Sequence, residues 1–425
     1  MFCKVNGNKP LTGEIEITGA KNDILKLIIA STITNGDVIL NNVPFIEDIY
    51  EKVHLLNELK VNVQYIKNNS LILNSSNIVP SFDFNCRLRT GSLFAGILLG
   101  RFGFCSIPMP AGDRIGSRNI DMHLDLLEKM QTTITSNNNI LHFQLKHKRL
   151  QAIEYTFRFQ SVGATENGIF AACFAEGTTV LNNSAIEPEI VNLCLFLKKL
   201  GVNINGIGTS RITIEGKESY NNSVEYSAIN DRIQLMTYML LPIIVSNSEV
   251  KIVSNDFEHM GEFLSIVLKL GIELAFRDNY VICSRKSNKK IPFIEVETKP
   301  FPFLATDIQP ILAVALSLAC EKSVLYENIY DNRFGYIEEL NKMGGKITKH
   351  SLNNKEFIQI EGIDQFHGSK VFINDLRAGA ALLFAALNAK EESTIVNVYH
   401  LNRGYDNIIG NLQHLGANIC FDLEK

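Results

Sequence analysis

The 425-residue chain has no excess of either charge: 41 Lys and Arg stand against 45 Asp and Glu, a formal net charge of −4. That balance leaves no basic footprint for a nucleic-acid partner. The chain has no CxxC pair. Its eight cysteines (Cys3, Cys86, Cys105, Cys173, Cys194, Cys283, Cys320, Cys420) are scattered, most of them in apolar runs. Reduced, buried thiols and a cytoplasmic location are the expectation. None of the nine histidines forms HxxxH or HExxH, so no metal site is predicted. The opening MFCKVNGNKPLTGEIEI lacks the apolar core of a signal peptide. The most apolar stretch, Leu235 to Val245, contains Pro242 and is too short to span a bilayer, so no membrane partner is predicted. What remains is ordinary globular composition, 46% hydrophobic and 20% charged, over a length that suits roughly two to three domains.

The chain repeats itself. Six segments share one pattern: LNELKVNV, LLEKMQTTI, FLKKLGVNI, VLKLGIEL, LNKMGGKI and LQHLGANI. The residue after the last apolar helix position falls at Lys60, Gln131, Gly201, Gly271, Gly344 and Gly416, at steps of 70 to 73 residues. Four of these are glycine, which closes a helix in the left-handed conformation at least cost. A short alternating run follows each, so the pattern predicts helix, stop, strand. Each unit also holds an earlier run rich in Ala, Leu and Ile on most faces: AKNDILKLIIAS, RTGSLFAGILLG, ATENGIFAACFA, DRIQLMTYMLL, TDIQPILAVALSLA and DLRAGAALLFAAL. Helices apolar all round are buried helices. Strand signals follow them: DVILNNV, FCSIPM, GTTVLNN, EVKIVSN, KSVLYEN and STIVNVY. The unit reads strand, helix, strand, helix, strand, strand. Six such units make an α/β chain, and the polar stretch 215–230 marks a seam between three units and three.

The buried helices begin with polar residues: Lys21 and Asn22, Arg89, Thr165 and Glu166, Asp231 and Arg232, Asp307, and Asp375 and Arg377. Capping accounts for Asp and Thr there and stays open for Asp231 and Asp375. It does not account for Lys or Arg, because a cation opposes the helix dipole at its N-terminus. Lys21 and Arg377 therefore read as ligands for an anion such as a phosphate or carboxylate.

The segments GEIEITGAKN (13–22), GRFG (100–103), PAGDRIGSRNIDMHL (110–124), SVGATEN (161–167), AEGTTVLNN (175–183), EPEIV (187–191), DRI (231–233), TDIQ (306–309), ENIYDNRF (327–334), NDLRAGAAL (374–382) and YHLNRGYDNI (399–408) occur in this order. Together they resemble the enolpyruvyl transferases over the whole chain. The likeness is closer to the UDP-N-acetylglucosamine 1-carboxyvinyltransferase family than to the shikimate branch. The resemblance implies two inside-out α/β barrels of three βαβαββ-like repeats each. One would cover 20–229 and carry the loop 110–118. The other would join 1–19 to 230–425. It also implies ligands in a cleft between the domains and a loop that closes over them.

The implied reaction adds the 3′-hydroxyl of UDP-N-acetylglucosamine to phosphoenolpyruvate and then eliminates phosphate, in peptidoglycan synthesis. It needs a cradle for anions, a base for the hydroxyl proton and an acid for C3. By resemblance Lys21, Arg118 and Arg377 hold phosphoenolpyruvate, with Arg89 and Arg333 adding positive charge. Asp307 is the base, and Thr306 before it looks like the helix cap by position. Asn22 and Ile329 match contacts to the sugar. Arg118, Asn119, Asp121 and Met122 match the uridine side. Ser161, Val162 and Gly163 match a turn whose N–H groups face the diphosphate. No cofactor and no protein partner is implied.

Asp113 is the sharpest departure from the family's usual pattern. Most relatives carry cysteine there and a minority aspartate. A carboxylic acid can deliver the proton if burial under a closed loop raises its pKa, and Gly112 and Gly116 suit a moving lid. Fosfomycin alkylates the family's cysteine thiolate, so resistance is predicted. Phe159 replaces a usual lysine, with Arg158 beside it as a substitute cation. Ile186 replaces a usual arginine, Gln234 a glutamate and Asn119 a proline, and RTGS stands where relatives read close to RAS. Two other readings stay open at this stage: a paralogue that binds a UDP-sugar without catalysis, and a transferase with another acceptor.

Overall fold

The computed structural model describes residues 1–66, 69–80, 89–109, 119–352 and 355–422. The described residues form two compact units, one within Gly19–Ile229 and one that joins Met1–Thr18 to the residues from Asn230 onward. Each has its own hydrophobic core.

Each repeat centres on one small sheet and at least two helices. In the Gly19–Ile229 unit the first sheet orders Val224–Ser227, Asp37–Asn41, Ser70–Asn74 and Asn62–Ile66. The third orders Glu154–Thr156, Thr178–Asn182, Arg211–Glu215 and Asn203–Asn205. The first pair in each runs parallel and the rest antiparallel. Among the described residues the second sheet has three strands, Phe104–Pro108, Ile140–Leu145 and Thr132–Asn137. The other unit repeats the scheme with two borrowed strands. Thr12–Glu16 lies parallel to Glu249–Val253, and Phe2–Asn6 is inserted between Ser393–Val396 and Asn418–Asp422. The polar stretch read as a seam thus contains a real strand, Val224–Ser227. Its alternation is too short and too polar to register as one in the sequence.

Inside each unit sit the apolar helices. They are Lys21–Ala30, Phe94–Phe102 and Val162–Ala172 in one, and Arg232–Met239, Gln309–Ala319 and Leu376–Asn388 in the other. Every residue of Gln309–Ala319 is buried. The sheet strands alternate buried and less buried positions, as in Asp37–Asn41 and Glu249–Val253. One sheet face therefore packs on the helices and the other faces outward. Helices within and sheets outside make each unit an inside-out α/β barrel. Among the described residues no helix is long and apolar enough to cross a membrane. The described cysteines are unpaired, and all but Cys420 are buried.

The six stop positions all adopt the left-handed conformation: Lys60 (φ 63°), Gln131 (69°), Gly201 (95°), Gly271 (84°), Gly344 (87°) and Gly416 (102°). At every stop but Gln131 the next residue reaches back to close the helix, as Val61 N–H does to the Leu56 carbonyl at 2.9 Å and Val202 N–H to that of Leu197 at 3.0 Å; Gln131 donates its own N–H to the Glu128 carbonyl at 3.0 Å. The former are Schellman closures. Lys60 and Gln131 bear a Cβ where the others bear none, a strain of roughly 1–2 kcal/mol that a flexible glycine would partly offset. Gln131→Gly is expected to stabilise the protein by about 0.5–1 kcal/mol. The denaturant midpoint should rise at unchanged slope, and an unchanged or lower midpoint would count against this reading of the closure.

Candidate active site

The buried helices begin with polar residues because their first N–H groups lack partners inside the helix. Asp231 caps its helix, its Oδ1 accepting from Ile233 N–H at 2.8 Å and Gln234 N–H at 3.1 Å. Asp375 does the same for Arg377 N–H at 2.9 Å and Ala378 N–H at 3.1 Å. For these two the cap is realised. Thr306 is different. Its hydroxyl donates to Glu327 Oε2 at 3.0 Å and caps nothing, and the turn Thr306–Ile308 starts from Ala305 without a side-chain cap. The buried Glu327 carboxylate is a strong acceptor for that hydroxyl and turns it toward the strand.

Asp307 lies in that turn. Arg333 Nη2 donates to its Oδ1 at 2.9 Å and Arg377 Nη2 to its Oδ2 at 3.0 Å. The two arginine side chains are 3% and 4% exposed, while Asp307 keeps 26% of its side chain accessible. Both oxygens are thus oriented by buried cations, with room left for a ligand. Arg377 also stacks over the buried Tyr405 ring, 5.1 Å from its centroid. Burial alone would favour its neutral form, but Asp307 and then Tyr405 and Asp231 outweigh that and hold the guanidinium above its ordinary value. Among the described residues Arg377 Nη1 and Arg333 Nε are buried without a hydrogen-bond partner. Buried donors left over beside a half-open carboxylate suit an anionic ligand.

In the Gly19–Ile229 unit Lys21 opens the first buried helix and pairs with Asp48 at 2.6 Å, with side-chain exposures of 12% and 3%. Asp48 stands in the first turn of Glu47–Glu58, where an anion is favoured by the helix dipole. Asn22 follows, its carbonyl accepting from Lys26 Nζ at 2.6 Å. Lys26 also faces Glu166 at 3.4 Å. Asp23 is fully buried, and its Oδ2 accepts from Asn192 Nδ2 at 2.7 Å and Ile229 N–H at 3.0 Å. Burial pushes the Asp23 carboxyl up to about 8 and that of Glu166 up to about 7.

Ser161 caps the third buried helix, its Oγ accepting from Ala164 N–H at 3.3 Å. A Cβ on Gly163 would come within 3.3 Å of His123 Nε2, so the first turn lies close against that ring. Arg158 pairs with Asp121, and its guanidinium holds the Asp121 carboxyl below the usual carboxylate range. The substitute cation is therefore engaged by a residue assigned to the uridine side. Asn119 is exposed, whereas Met122 turns its side chain into the core at 3% exposure. Phe159 is 61% exposed, Ile186 half-buried and Gln234 buried.

The structure brings Asp307, Arg333 and Arg377 together in one unit, and sets Lys21, Asn22 and the Ser161–Gly163 turn on helix starts in the other. Ile329 donates its N–H to Glu327 Oε1 at 2.8 Å. Arg89 opens the turn Arg89–Leu93, and its side chain lies outside the described residues, as do Asp113 and Arg118. Sequence reasoning missed three partners of these residues: Asp48 beside Lys21 in one unit, and Glu327 and Tyr405 in the other. Asp48 carries no local signal beyond dipole compensation. The other two stood inside the segments ENIYDNRF and YHLNRGYDNI and bore no role there.

The family model for EPSP synthase (3-phosphoshikimate 1-carboxyvinyltransferase) matches residues 5–412. The UDP-N-acetylglucosamine 1-carboxyvinyltransferase of Paracoccus denitrificans (strain Pd 1222) is 36% identical over 419 residues, 98% of this chain and 97% of the relative. The enzyme of the same name from Wolbachia pipientis subsp. Culex pipiens (strain wPip) is 38% identical over 423 residues, 97% of each chain. Among solved structures, the enolpyruvyl transferase NikO from Streptomyces tendae has a TM-score of 0.88 at 20% identity, over 99% of this chain and 98% of its own. An EPSP synthase from Acinetobacter baumannii has a TM-score of 0.72 at 17% identity, over 99% of both chains. These two speak for the fold, whereas the full-length curated relatives and the family match speak for descent. On that basis the chain belongs to the EPSP synthase family of enolpyruvyl transferases.

Proposed function

We propose that this protein transfers the enolpyruvyl group of phosphoenolpyruvate to the 3′-hydroxyl of UDP-N-acetylglucosamine and releases phosphate. This is the first committed step of peptidoglycan synthesis, and so of cell-wall growth, cell shape and division, carried out in the cytoplasm. The observation that carries the reading is Asp307, held at both oxygens by Arg333 and Arg377 yet accessible. The name shared by the full-length relatives supplies the acceptor.

Asp307 accepts the hydroxyl proton as the sugar oxygen bonds to C2 of phosphoenolpyruvate. Asp113 gives a proton to C3, which leaves a tetrahedral adduct that still bears its phosphate. The C2–O bond to phosphate then breaks and C3 loses a proton, restoring the double bond. Lys21, Arg118 and Arg377 hold the phosphate and carboxylate, with Arg89 and Arg333 adding charge. Asn22 and Ile329 hold the sugar. Asn119, Asp121 and Met122 lie on the uridine side, and the Ser161–Val162–Gly163 turn faces the diphosphate.

Phosphate release from phosphoenolpyruvate, dependent on UDP-N-acetylglucosamine, tests this directly. Release is expected to persist in fosfomycin, because the side chain at 113 is not a thiol. It is expected to fall by about 10²–10⁴-fold in Asp113→Asn. Folded protein that binds the UDP-sugar and releases no phosphate would instead identify a non-catalytic paralogue.

A further inference from the structure

Glu327 closes the long strand Cys320–Glu327 and is 5% exposed. Its Oε1 accepts two successive main-chain donors, Ile329 N–H at 2.8 Å and Tyr330 N–H at 3.1 Å. Its Oε2 accepts the Thr306 hydroxyl at 3.0 Å. One buried carboxylate thus ties the segment after the strand to the turn that carries Asp307. Further along that segment Arg333 returns to the same turn, donating to the Thr306 carbonyl at 3.4 Å and to Asp307 Oδ1 at 2.9 Å. The segment and the turn are therefore fastened at two points, and Ile329 lies between them in sequence.

A bland account would make Glu327 a strand-end cap. That accounts for the two main-chain bonds. It does not account for the third bond, to the residue next to the base. Burial pushes the carboxyl above its usual range, against the pull of Ile329 N–H and the nearby Arg333.

We propose that Glu327 is a positioning residue for the acceptor. It sets the Asp307 turn against the Ile329 segment so that the sugar hydroxyl meets the carboxylate in line. The proposal rests on the reaction assigned above. Glu327 itself touches no reacting atom; it acts through Thr306 on one side and the Ile329 main chain on the other.

Three variants test it. Thr306→Val keeps the shape and removes only the Oε2 arm. Glu327→Ala removes all three bonds. Glu327→Gln can keep them, since its amide oxygen accepts both N–H groups and its NH₂ can donate to the Thr306 oxygen. Misplacement of about 1 Å can cost on the order of 10²-fold in rate. The KM for UDP-N-acetylglucosamine is expected to rise and kcat to fall by about 10–100-fold in Thr306→Val and Glu327→Ala, with the KM for phosphoenolpyruvate unchanged. Glu327→Gln should recover most of the loss. The split between the two KM values is the readout that a purely structural cap would not produce. Folded Thr306→Val with kcat and both KM values within two-fold of wild type would overturn the proposal, as would equal rises in both KM values. If Glu327→Ala fails to fold, Thr306→Val decides. A wild-type protein without turnover would sink the assigned reaction, and this role with it, and is told apart from the other outcomes before any variant is made.

Discussion

Asp307→Asn is expected to lower kcat by about 10²–10⁴-fold, the usual contribution of a positioned general base. The same carboxylate has two tasks, and the structure allows them to be separated. As a base it must offer a lone pair to the sugar hydroxyl. As a counter-ion it occupies two guanidiniums whose side chains are 3% and 4% exposed. Asparagine keeps the shape and one acceptor but turns an NH₂ toward one arginine, so one buried donor goes unpaired at a cost of about 1–3 kcal/mol. Alanine takes the carboxylate counter-ion from both buried cations, and about 3–5 kcal/mol is expected. Activity should therefore be lost in both variants while stability falls in steps, Asn before Ala. Steady-state turnover and denaturant melts on the same preparations would measure this. Asp307→Asn with turnover within ten-fold of wild type would remove Asp307 from the chemistry and leave it as a brace.

Gly19→Ala is expected to destabilise the protein strongly through a main-chain clash. A Cβ there would lie 1.8 Å from the Asn42 carbonyl oxygen, 3.0 Å from its carbon and 3.3 Å from Ala228 Cβ. The obstacle is main chain and cannot swing aside. Asn42 is itself in the left-handed conformation (φ 58°) and donates its Nδ2 to the Ala228 carbonyl at 3.1 Å. Ala228 N–H is bound to the Asn41 carbonyl at 3.1 Å. The segment carrying residue 19 must therefore move, at a cost of about 3 kcal/mol. Lys21 is two residues on, and its 2.6 Å pairing with Asp48 leaves no slack. A shift of about 1 Å there would cost on the order of 10²-fold in kcat. A destabilisation below about 1 kcal/mol would mean the segment has more freedom than these distances allow.

Much of the fold was legible because its signals are periodic. The helices apolar on most faces, the six stops and the strand runs all lie where their patterns predict. The pattern held even at Lys60 and Gln131, where the favoured residue is missing and only the spacing marks the turn. What escaped was pairing at a distance. Nothing near Asp48 announces Lys21, 27 positions earlier. Thr306 looked like a cap because caps are local, whereas its hydroxyl goes to Glu327, a residue of a neighbouring strand. Arg158 looked like a free replacement cation until Asp121 was found against it. The strand Val224–Ser227 was hidden because its partner, Asp37–Asn41, comes from the other end of the unit.

That last kind of pairing sets an order on synthesis. The first sheet of the Gly19–Ile229 unit is complete only once Val224–Ser227 has left the ribosome, so all three repeats must emerge before that first sheet closes. The strand Phe2–Asn6 waits longer, because its neighbours Ser393–Val396 and Asn418–Asp422 lie far downstream of it. Until they emerge it is an unpaired edge, open to the wrong neighbour. It alternates half-buried and buried positions and carries Lys4, a charge of the kind that discourages edge-to-edge pairing. The strands Ser393–Val396 and Asn418–Asp422 thus do more than complete a sheet: they release Phe2–Asn6 from exposure.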